Sequence, residues 1–195
     1  MGRAPGWNPG HLLALPIATP RLVLRLFTTD DTDDMYAYQG LPSVARYLYR
    51  PPRSRERCAE IIAEIATATS WATDGDTVTL AICRHAEPGA IGQVSLTLAS
   101  ARARQAEIGW LLHPAHEGRG YATEAARALA TAAFERLGAH RLFARLDADN
   151  AASARLCERL GMRREAHLVE NDVDGDRWGS EYVYALLAHE HGRVA

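Results

Sequence analysis

The chain of 195 residues contains no lysine, so all 22 of its basic side chains are arginines. We read this absence as a result of gene composition, and it means that the protein cannot modify a lysine of its own. The net charge is also small, −2 at neutral pH. Because nucleic-acid binding relies on many positive charges that face phosphates, this balance argues against direct binding to nucleic acid.

Cysteines are scarce, since Cys58, Cys83 and Cys157 are an odd number and form no CxxC pair. Neither a disulfide framework nor a zinc finger is predicted. No stretch of the sequence approaches the roughly 18 apolar residues that a membrane span requires, and no secretory signal peptide is recognised. We therefore expect a cytoplasmic protein without a membrane association.

The hydrophobic periodicity predicts one domain over residues 16–190, preceded by a flexible N-terminal arm over residues 1–15 that is rich in Gly, Pro and Ala. The predicted order is a strand, two helices, three strands, a helix, a strand, a helix and two strands. The three successive strands are expected over 78–83, 91–98 and 105–112, with turns at Glu87–Gly89 and near Ser100. This order indicates an α/β domain with a mixed, partly antiparallel sheet.

Helix starts are marked by residues that commonly cap a helix N-terminus. Thr28 and the acids after it precede a helix that we expect to reach about Gln39, and Ser54 precedes one with an apolar face. Asn150 precedes a helix that Gly161 ends, and an Ala-rich helix is predicted from Tyr121.

The segment from Glu107 to Ala126 is the most informative part of the chain. It predicts a strand that ends at Pro114, a loop with Gly118 and Gly120, and a helix that starts at once. The first N–H groups of a helix have no internal partner, and the helix dipole adds positive charge there. The segment therefore predicts a binding site for an anion, most simply a phosphate or pyrophosphate.

A dinucleotide-binding fold is one alternative, but the GxGxxG pattern fails at its third glycine, where Thr123 stands. The acid that this fold places at the end of the next strand, about 20 residues further on, is also missing. A simple tight turn at Gly118 and Gly120 is the other alternative.

Several motifs resemble those of a known family. The sequence His116-Glu-Gly-Arg-Gly-Tyr-Ala-Thr-Glu-Ala resembles the pyrophosphate-binding motif Q/R-x-x-G-x-G/A of the GNAT N-acetyltransferases. The sequences Thr19-Pro-Arg-Leu-Val-Leu-Arg, Glu107-Ile-Gly-Trp and Asn150-Ala-Ala-Ser-Ala-Arg are similar to motifs of one branch, the RimJ/RimL-type ribosomal-protein alanine acetyltransferases. Asp174-Gly175 with Trp178 resembles that branch's closing motif, and the resemblance covers about residues 17–188.

The resemblance implies a GNAT fold, in which helices flank a splayed central sheet, and transfer of an acetyl group from acetyl-CoA to an amine. Main-chain N–H groups of the glycine loop would hold the pyrophosphate, and the end of the preceding strand would pair with the pantetheine. The residues that this assigns to the cofactor are Leu111, Leu112, Glu117, Gly118, Arg119, Gly120, Tyr121, Ala122, Thr123 and Asn150.

Glu117 departs from the family pattern, which has Gln or Arg at this position. A carboxylate beside a pyrophosphate is unfavourable unless it points outward or pairs with an arginine. Because the contacts of the motif are mainly main-chain ones, we expect weaker cofactor binding rather than none.

The reaction needs a base for the amine and benefits from an acid for the thiolate. Glu107 is the candidate base, because it is a carboxylate in an otherwise apolar strand whose burial would raise its pKa; a purely structural glutamate is the alternative. Many family members have a Tyr seven residues after the Asn, where this chain has Cys157. The branch implies Ser153 as the acid instead, and support of the Asn150 cap is its alternative role.

No metal is expected. His113 and His116 with Glu117 superficially resemble a metal site, but Pro114 argues against the helix that an HExxH motif needs, and no third ligand is evident.

The acceptor is expected to be a protein or peptide N-terminal amine. A small-molecule amine and a non-catalytic acyl-CoA-binding sensor remain alternatives, as does a dinucleotide-dependent oxidoreductase. Acids in the first helix and in the last hairpin could attract a cationic acceptor, or could simply cap a helix and face solvent; they are Asp30, Asp31, Asp33, Asp34, Glu170, Asp172, Asp174 and Asp176. The branch resemblance also implies a homodimer.

Overall fold

The structure is a computed structural model that describes residues 13–66, 68, 70–85 and 87–192. Its eight strands are β1 (Ile17–Ala18), β2 (Leu22–Leu26), β3 (Thr77–Arg84), β4 (Glu87–Ser100), β5 (Gln105–Leu112), β6 (Arg141–Asp147), β7 (Arg163–Asp174) and β8 (Arg177–Leu187). The α-helices are α1 (Thr32–Gln39), α2 (Pro42–Ala45), α3 (Arg55–Ala66), α4 (Tyr121–Glu135) and α5 (Ala151–Arg159).

All eight strands form one sheet in the order β1-β2-β3-β4-β5-β6-β8-β7. Every neighbouring pair is antiparallel except β5 and β6, which run parallel and are connected through α4. The predicted mixed sheet flanked by helices is confirmed. A dinucleotide-binding fold, which needs an open and mostly parallel sheet, is not present in this architecture.

The two faces of the sheet carry separate cores. One face packs against α4 and α5, and the other packs against α1 and α3. Strand β3 contributes side chains to both cores, because alternate residues such as Leu80 and Ala81 point to opposite faces of the sheet. Five buried alanines of α4 allow this helix to lie close to the sheet: Ala125, Ala126, Ala130, Ala132 and Ala133.

Two of the predicted helix caps, Ser54 and Asn150, are present, whereas Thr28 precedes a short 3-10 turn at Thr29–Asp31 and not α1 itself. The Ser54 hydroxyl accepts a hydrogen bond from the main-chain N–H of Arg57 at 3.1 Å, and the Asn150 side chain accepts one from the N–H of Ser153 at 3.0 Å. The last hairpin extends further than its apolar pattern indicates, since β7 continues to Asp174. The sequence analysis did not predict the short elements β1 and α2. Of the predicted N-terminal arm, residues 1–12 lie outside the described residues, whereas Leu13 is buried in the core.

The turn predicted at Glu87–Gly89 is wrong, because these residues belong to β4. The register shifts there, so that Arg84 pairs with Glu87 while its neighbour Cys83 pairs with Ala90. A bulge of this kind accommodates a proline, which cannot donate to a strand ladder. The N–H of Ala90 instead donates to the Asp34 carboxylate at 2.8 Å.

A partly buried ion pair, in which Asp31 is buried and Arg25 reaches the surface, ties β2 to the segment before α1. Two guanidinium nitrogens of Arg25 donate to the two carboxylate oxygens of Asp31, each at 2.7 Å, and the N–H of Thr28 donates to the same carboxylate at 2.7 Å. Burial alone would raise the pKa of Asp31, but the hydrogen bonds from Arg25 and Thr28 outweigh it and lower the pKa.

Among the helices of the described residues, none combines the length and the apolar character that a membrane crossing requires.

We predict that Asp31→Asn lowers the free energy of unfolding by about 3 kcal/mol, since it leaves the Arg25 guanidinium without its anion. Because the carboxyl pKa is lower in the folded state, the stabilisation is complete above the unfolded-state value of about 3.9 and is lost as the pH falls through the folded-state pKa. Urea unfolding at several pH values measures both effects. Asp33→Asn, which removes an exposed pair with Arg55, is the control and should change stability much less, because solvent screens an exposed ion pair. Equal losses in the two variants would contradict the prediction.

Candidate active site

Strands β5 and β6 pair over only three residue pairs, and the last of these joins Glu107 to Phe143. Beyond it, Ile108–Leu112 stays paired with β4 and Ala144–Asp147 stays paired with β8, so the two strands part. We call the resulting opening the fork. Among the described residues, the fork side of Ile108–Leu112 has no strand partner, and such an edge can accept the amides of an extended ligand.

Glu107 lies at the apex of the fork, in the last residue pair that joins the two strands. The carboxyl group of Glu107 is half-buried, and this burial raises its pKa above the ordinary range of a glutamate. The nearby Glu181 raises the pKa further. Arg145 acts in the opposite direction and lowers the pKa. A carboxyl group with a raised pKa accepts a proton more readily than an ordinary glutamate, as a general base must.

The glycine loop lies between the end of β5 and the start of α4. Gly118 and Gly120 have φ angles of 73° and 78°, in the left-handed region that favours glycine. Added Cβ atoms would meet nothing within 4 Å at Gly118 and an Arg21 nitrogen at 3.4 Å at Gly120. The two glycines are therefore explained by the left-handed backbone that the loop adopts at these positions. The space around Gly118 leaves one side of the loop open to a ligand.

The N-terminus of α4 supplies the predicted donors. The first helical hydrogen bond runs from the N–H of Glu124 to the Gly120 carbonyl at 3.0 Å. The N–H groups of Tyr121, Ala122 and Thr123 precede it and have no helical acceptor. Together with the dipole of a helix of 15 residues, they form an environment that favours an anion.

Glu117 and Arg119, which flank Gly118, are both exposed. Neither takes part in an ion pair among the described residues. Glu117 is therefore not neutralised by an arginine, and the expectation that it weakens the binding of an anion stays a prediction.

Asn150 and Ser153 lie at the N-terminus of α5, on the opposite side of the fork from β5. The Asn150 side chain caps the helix through its oxygen, as expected. The Ser153 hydroxyl accepts a hydrogen bond from the indole N–H of Trp110 at 3.2 Å. Because Trp110 belongs to the part of β5 that has separated from β6, this bond connects the two sides of the fork.

Cys157 is fully buried in the core between α5 and the sheet. Burial raises the pKa of its thiol to about 12. The thiol is therefore a core group, and it does not replace the tyrosine that many family members carry at this position.

His113 and His116 lie 5.7 Å apart between ring centroids, and the Nδ1 of His113 accepts a hydrogen bond from the N–H of Ala115 at 3.1 Å. Burial and the neighbouring Arg84 lower the pKa of His116, so its ring is neutral at pH 7. In the described part of the chain, no group of three or more His, Cys, Asp or Glu side chains could hold a metal ion.

The sequence analysis missed a group of polar residues beside the fork. Glu181 on β8 is only 7% exposed, pairs in register with Asp147, and binds Arg145 and the amide of Asn171, the latter at 2.5 Å. The sequence contained a signal for this residue, since Glu181 is the single acid of its strand, as Glu107 is of β5.

Tyr49 completes this group. Its hydroxyl donates to the Ser180 carbonyl at 3.2 Å, and its ring fills the space that a Cβ at Gly179 would need. Burial and the nearby carboxylates Asp147 and Glu181 raise the pKa of Tyr49, so the hydroxyl stays protonated. These two contacts hold the segment between α2 and α3 against β8. The backbone of Tyr49 is left-handed, with a φ of 47°.

Three of the acids at and before the start of α1, for which attraction of an acceptor and a structural role were both open, have structural partners. Asp31 pairs with Arg25, Asp33 pairs with Arg55, and Asp34 accepts from the N–H of Ala90. The carboxylates beside the fork are Glu107, Asp147, Asp172 and Glu181, of which only Asp172 belongs to the acids that the sequence analysis proposed.

Comparison with known proteins gives a consistent family. The model of the acetyltransferase (GNAT) domain family matches residues 21–163. The chain is 38% identical over 84 residues to YnaD, an uncharacterized N-acetyltransferase of Bacillus subtilis (strain 168), a match that covers 43% of this chain and 49% of that protein. It is 26% identical to p20, an uncharacterized N-acetyltransferase of Bacillus licheniformis, over 89% of this chain and 96% of that protein.

Solved structures agree in fold. A GNAT-family acetyltransferase of Bacillus anthracis is 26% identical with a TM-score of 0.79, over 90% of this chain and all of that chain. A candidate ribosomal-protein-serine acetyltransferase of Vibrio cholerae is 22% identical with a TM-score of 0.73, over 91% and 99% of the two chains. The Vibrio cholerae spermidine N-acetyltransferase in complex with CoA and spermine is 20% identical with a TM-score of 0.76, over 88% and 98%. At these identities the last two show the fold alone.

We predict that Gly120→Ala raises the Kd of CoA roughly fivefold to thirtyfold, because a left-handed φ costs a non-glycine residue about 1–2 kcal/mol and favours another loop conformation. Calorimetric titration with CoA measures this change. Gly75→Ala is the matched control, since Gly75 has a φ of 96° with nothing within 4 Å of an added Cβ and lies outside the loop. An unchanged Kd in Gly120→Ala would show that the loop does not bind CoA.

Proposed function

The chain belongs to the GNAT acetyltransferase family and is an acetyl-CoA-dependent N-acetyltransferase, and from this premise we propose that it acetylates the N-terminal amine of a protein or peptide. The observation that carries the proposal is the fork, which has a base candidate at its apex and an anion-binding loop at its mouth. The motifs shared with the RimJ/RimL-type branch support this acceptor class.

The residues present fit acetyl-CoA. We propose that the main-chain N–H groups from Gly118 to Thr123 bind the pyrophosphate, and that the fork side of Leu111 and Leu112 binds the amides of the pantetheine. Asn150 contributes from the α5 side, where its side-chain NH2 group has no recorded acceptor among the described residues. The co-substrate supplies the thioester carbonyl that the amine attacks.

Glu107 is proposed as the general base. An amine attacks only when it is neutral, so the Glu107 carboxylate takes its proton directly or through water. The new N–C bond forms as the C–S bond breaks, and the electron pair of that bond leaves with the CoA sulfur. This single displacement needs no covalent intermediate on the enzyme.

Ser153 is proposed to donate a proton or a hydrogen bond to the departing thiolate. Because its oxygen already accepts from the Trp110 indole, its own hydrogen is free to point elsewhere. The Trp110 bond also fixes the position of the hydroxyl relative to β5.

The electrostatics beside the fork suit an acceptor that arrives as an ammonium ion. Arg145 is a cation that interacts with three carboxylates of this group, Glu181, Glu107 and Asp172. Carboxylates in excess over cations attract a positively charged ligand. This feature also favours a second candidate acceptor, a small-molecule amine such as a polyamine.

A cytoplasmic location is proposed because the three cysteines are buried and free, without a disulfide among them.

A homodimer is proposed because the β7–β8 hairpin exposes three apolar side chains, Val169, Val173 and Trp178, of which Trp178 is 67% exposed. Light scattering tests the dimer: a molar mass near 21.4 kDa, that of one chain, would contradict it.

The acceptor is tested by the release of CoA thiol from acetyl-CoA in the presence of a panel of amines. We expect turnover with peptides that begin with Ala or Ser and none with the same peptides already acetylated at the N-terminus. Turnover with spermidine alone would favour the small-molecule alternative. Tight binding of CoA without turnover on any amine would favour a non-catalytic sensor.

We predict that Glu107→Gln lowers kcat by about 10²- to 10⁴-fold while CoA binding is kept, since a positioned base contributes about this much. In the unmodified protein, kcat/KM should rise with pH as Glu107 loses its proton, and this limb should lie above the ordinary range of a glutamate. The limb should vanish in Glu107→Gln. Glu135→Gln, at the exposed end of α4, is the control; a full rate in Glu107→Gln would assign Glu107 a structural role.

A further inference from the structure

Arg21, in the motif Thr19-Pro-Arg at the entry to β2, contacts three different residues of the glycine loop and α4. Its Nε donates to the Glu124 carboxylate at 2.6 Å, and its Nη2 lies 2.6 Å from the same group. Its Nη1 donates to the carbonyl of Arg119 at 2.9 Å. The guanidinium carbon also lies 4.8 Å from the centre of the Tyr121 ring.

Two more hydrogen bonds connect Glu124 to the same segment, which lies between β1 and β2. The Thr19 hydroxyl donates to its carboxylate at 2.6 Å, and the main-chain N–H of Arg21 donates at 3.0 Å. Burial alone would raise the pKa of Glu124, but these donors and the Arg21 side chain outweigh it and lower the pKa. Glu124 therefore remains a carboxylate at neutral pH and keeps Arg21 in place.

The bond to the Arg119 carbonyl has a consequence for the next residue. In a trans peptide the C=O of one residue and the N–H of the following residue point in opposite directions. Since the Arg119 carbonyl points at Arg21, the N–H of Gly120 points away from it, to the other side of the loop. If this peptide rotated, a carbonyl oxygen would take the place of an N–H donor and would repel an anion.

Arg21 is poorly suited to bind the anion itself. Three of its nitrogens already have partners within the protein, and the Glu124 carboxylate neutralises its charge. It lines the wall of a cavity of about 560 Å3 together with Arg127 and Arg159. Direct contact with the 3′-phosphate of CoA is therefore the alternative that an experiment must separate.

We propose that Arg21 is a positioning residue, which orients the Arg119–Gly120 peptide so that the loop presents N–H groups to the pyrophosphate of CoA. The inference rests on the cofactor site proposed above. It connects the motif at the start of β2 to the motif at the start of α4, although about a hundred residues separate them.

The test compares three ligands: CoA, dephospho-CoA, which lacks only the 3′-phosphate, and pantetheine, which also lacks the pyrophosphate and the adenosine attached to it. In Arg21→Gln, the Kd should rise roughly tenfold to a hundredfold for both CoA and dephospho-CoA, as expected when a charge-assisted hydrogen bond is lost. The Kd of pantetheine should stay the same. Calorimetry gives the first two values, and displacement of CoA gives the third. Arg102→Gln, in the exposed turn between β4 and β5, is the control and should change none of them.

Arg21→Lys is a milder second variant, because an ammonium can reach Glu124 but lacks the planar fork that also holds the Arg119 carbonyl. It should show the same ligand pattern with a smaller change, even if Arg21→Gln has a lowered melting temperature. A penalty that disappears with dephospho-CoA would make Arg21 a ligand of the 3′-phosphate. An equal penalty for all three ligands would make it a general structural residue, and either result overturns the proposal.

A wrong role for Arg21 and a wrong cofactor site give different results in this experiment. If the unmodified protein does not bind CoA at all, the cofactor site itself is wrong. If it binds CoA and both Arg21 variants bind it equally well, only the role of Arg21 is wrong.

Discussion

The rest of the site depends on where the parallel ladder between β5 and β6 stops. After the pair formed by Glu107 and Phe143, each strand remains bonded to its antiparallel neighbour but no longer to the other. Had the ladder continued, the main-chain groups of Ile108–Leu112 would be satisfied within the sheet and could not accept a ligand. The interruption therefore creates an open edge inside an otherwise continuous sheet.

The two sides of the fork have opposite electrostatic character. On the side of the glycine loop, the donors are main-chain N–H groups and a helix N-terminus, and the nearby Arg21 is neutralised by Glu124. On the side of β8, Glu107, Glu181 and Asp172 share Arg145. An anionic co-substrate and a cationic acceptor would thus approach from different directions, and this separation follows from the fold because β5 and β6 bring the two groups to one opening.

The absence of lysine is consistent with how the cations are used. Arg25 donates to both oxygens of Asp31, and Arg21 holds a carboxylate and a carbonyl at once. A lysine offers a single point of charge and could not hold two partners in a plane in this way. The structural role of these arginines does not depend on why the gene encodes no lysine.

Local signals in the sequence predicted the parts of the site that local chemistry determines. Gly118 and Gly120 lie in the predicted loop between β5 and α4, where both adopt the left-handed conformation that favours glycine, and Asn150 caps α5. The contact of Tyr49 with Gly179 and the bonds from Arg21 to Glu124 join residues more than a hundred positions apart, so no window of sequence contains them. The turn expected at Glu87–Gly89 failed for a related reason, since Asp34 of α1 supplies the acceptor that allows a bulge there.

The most direct test of the account is a crystal structure of the protein with CoA. The account predicts the pyrophosphate on the N–H groups between Gly118 and Thr123, and the pantetheine between β5 and β6 with its thiol directed toward Glu107. Binding of CoA elsewhere, for example entirely within the cavity between Arg21 and Arg159, with the fork left empty, would contradict it.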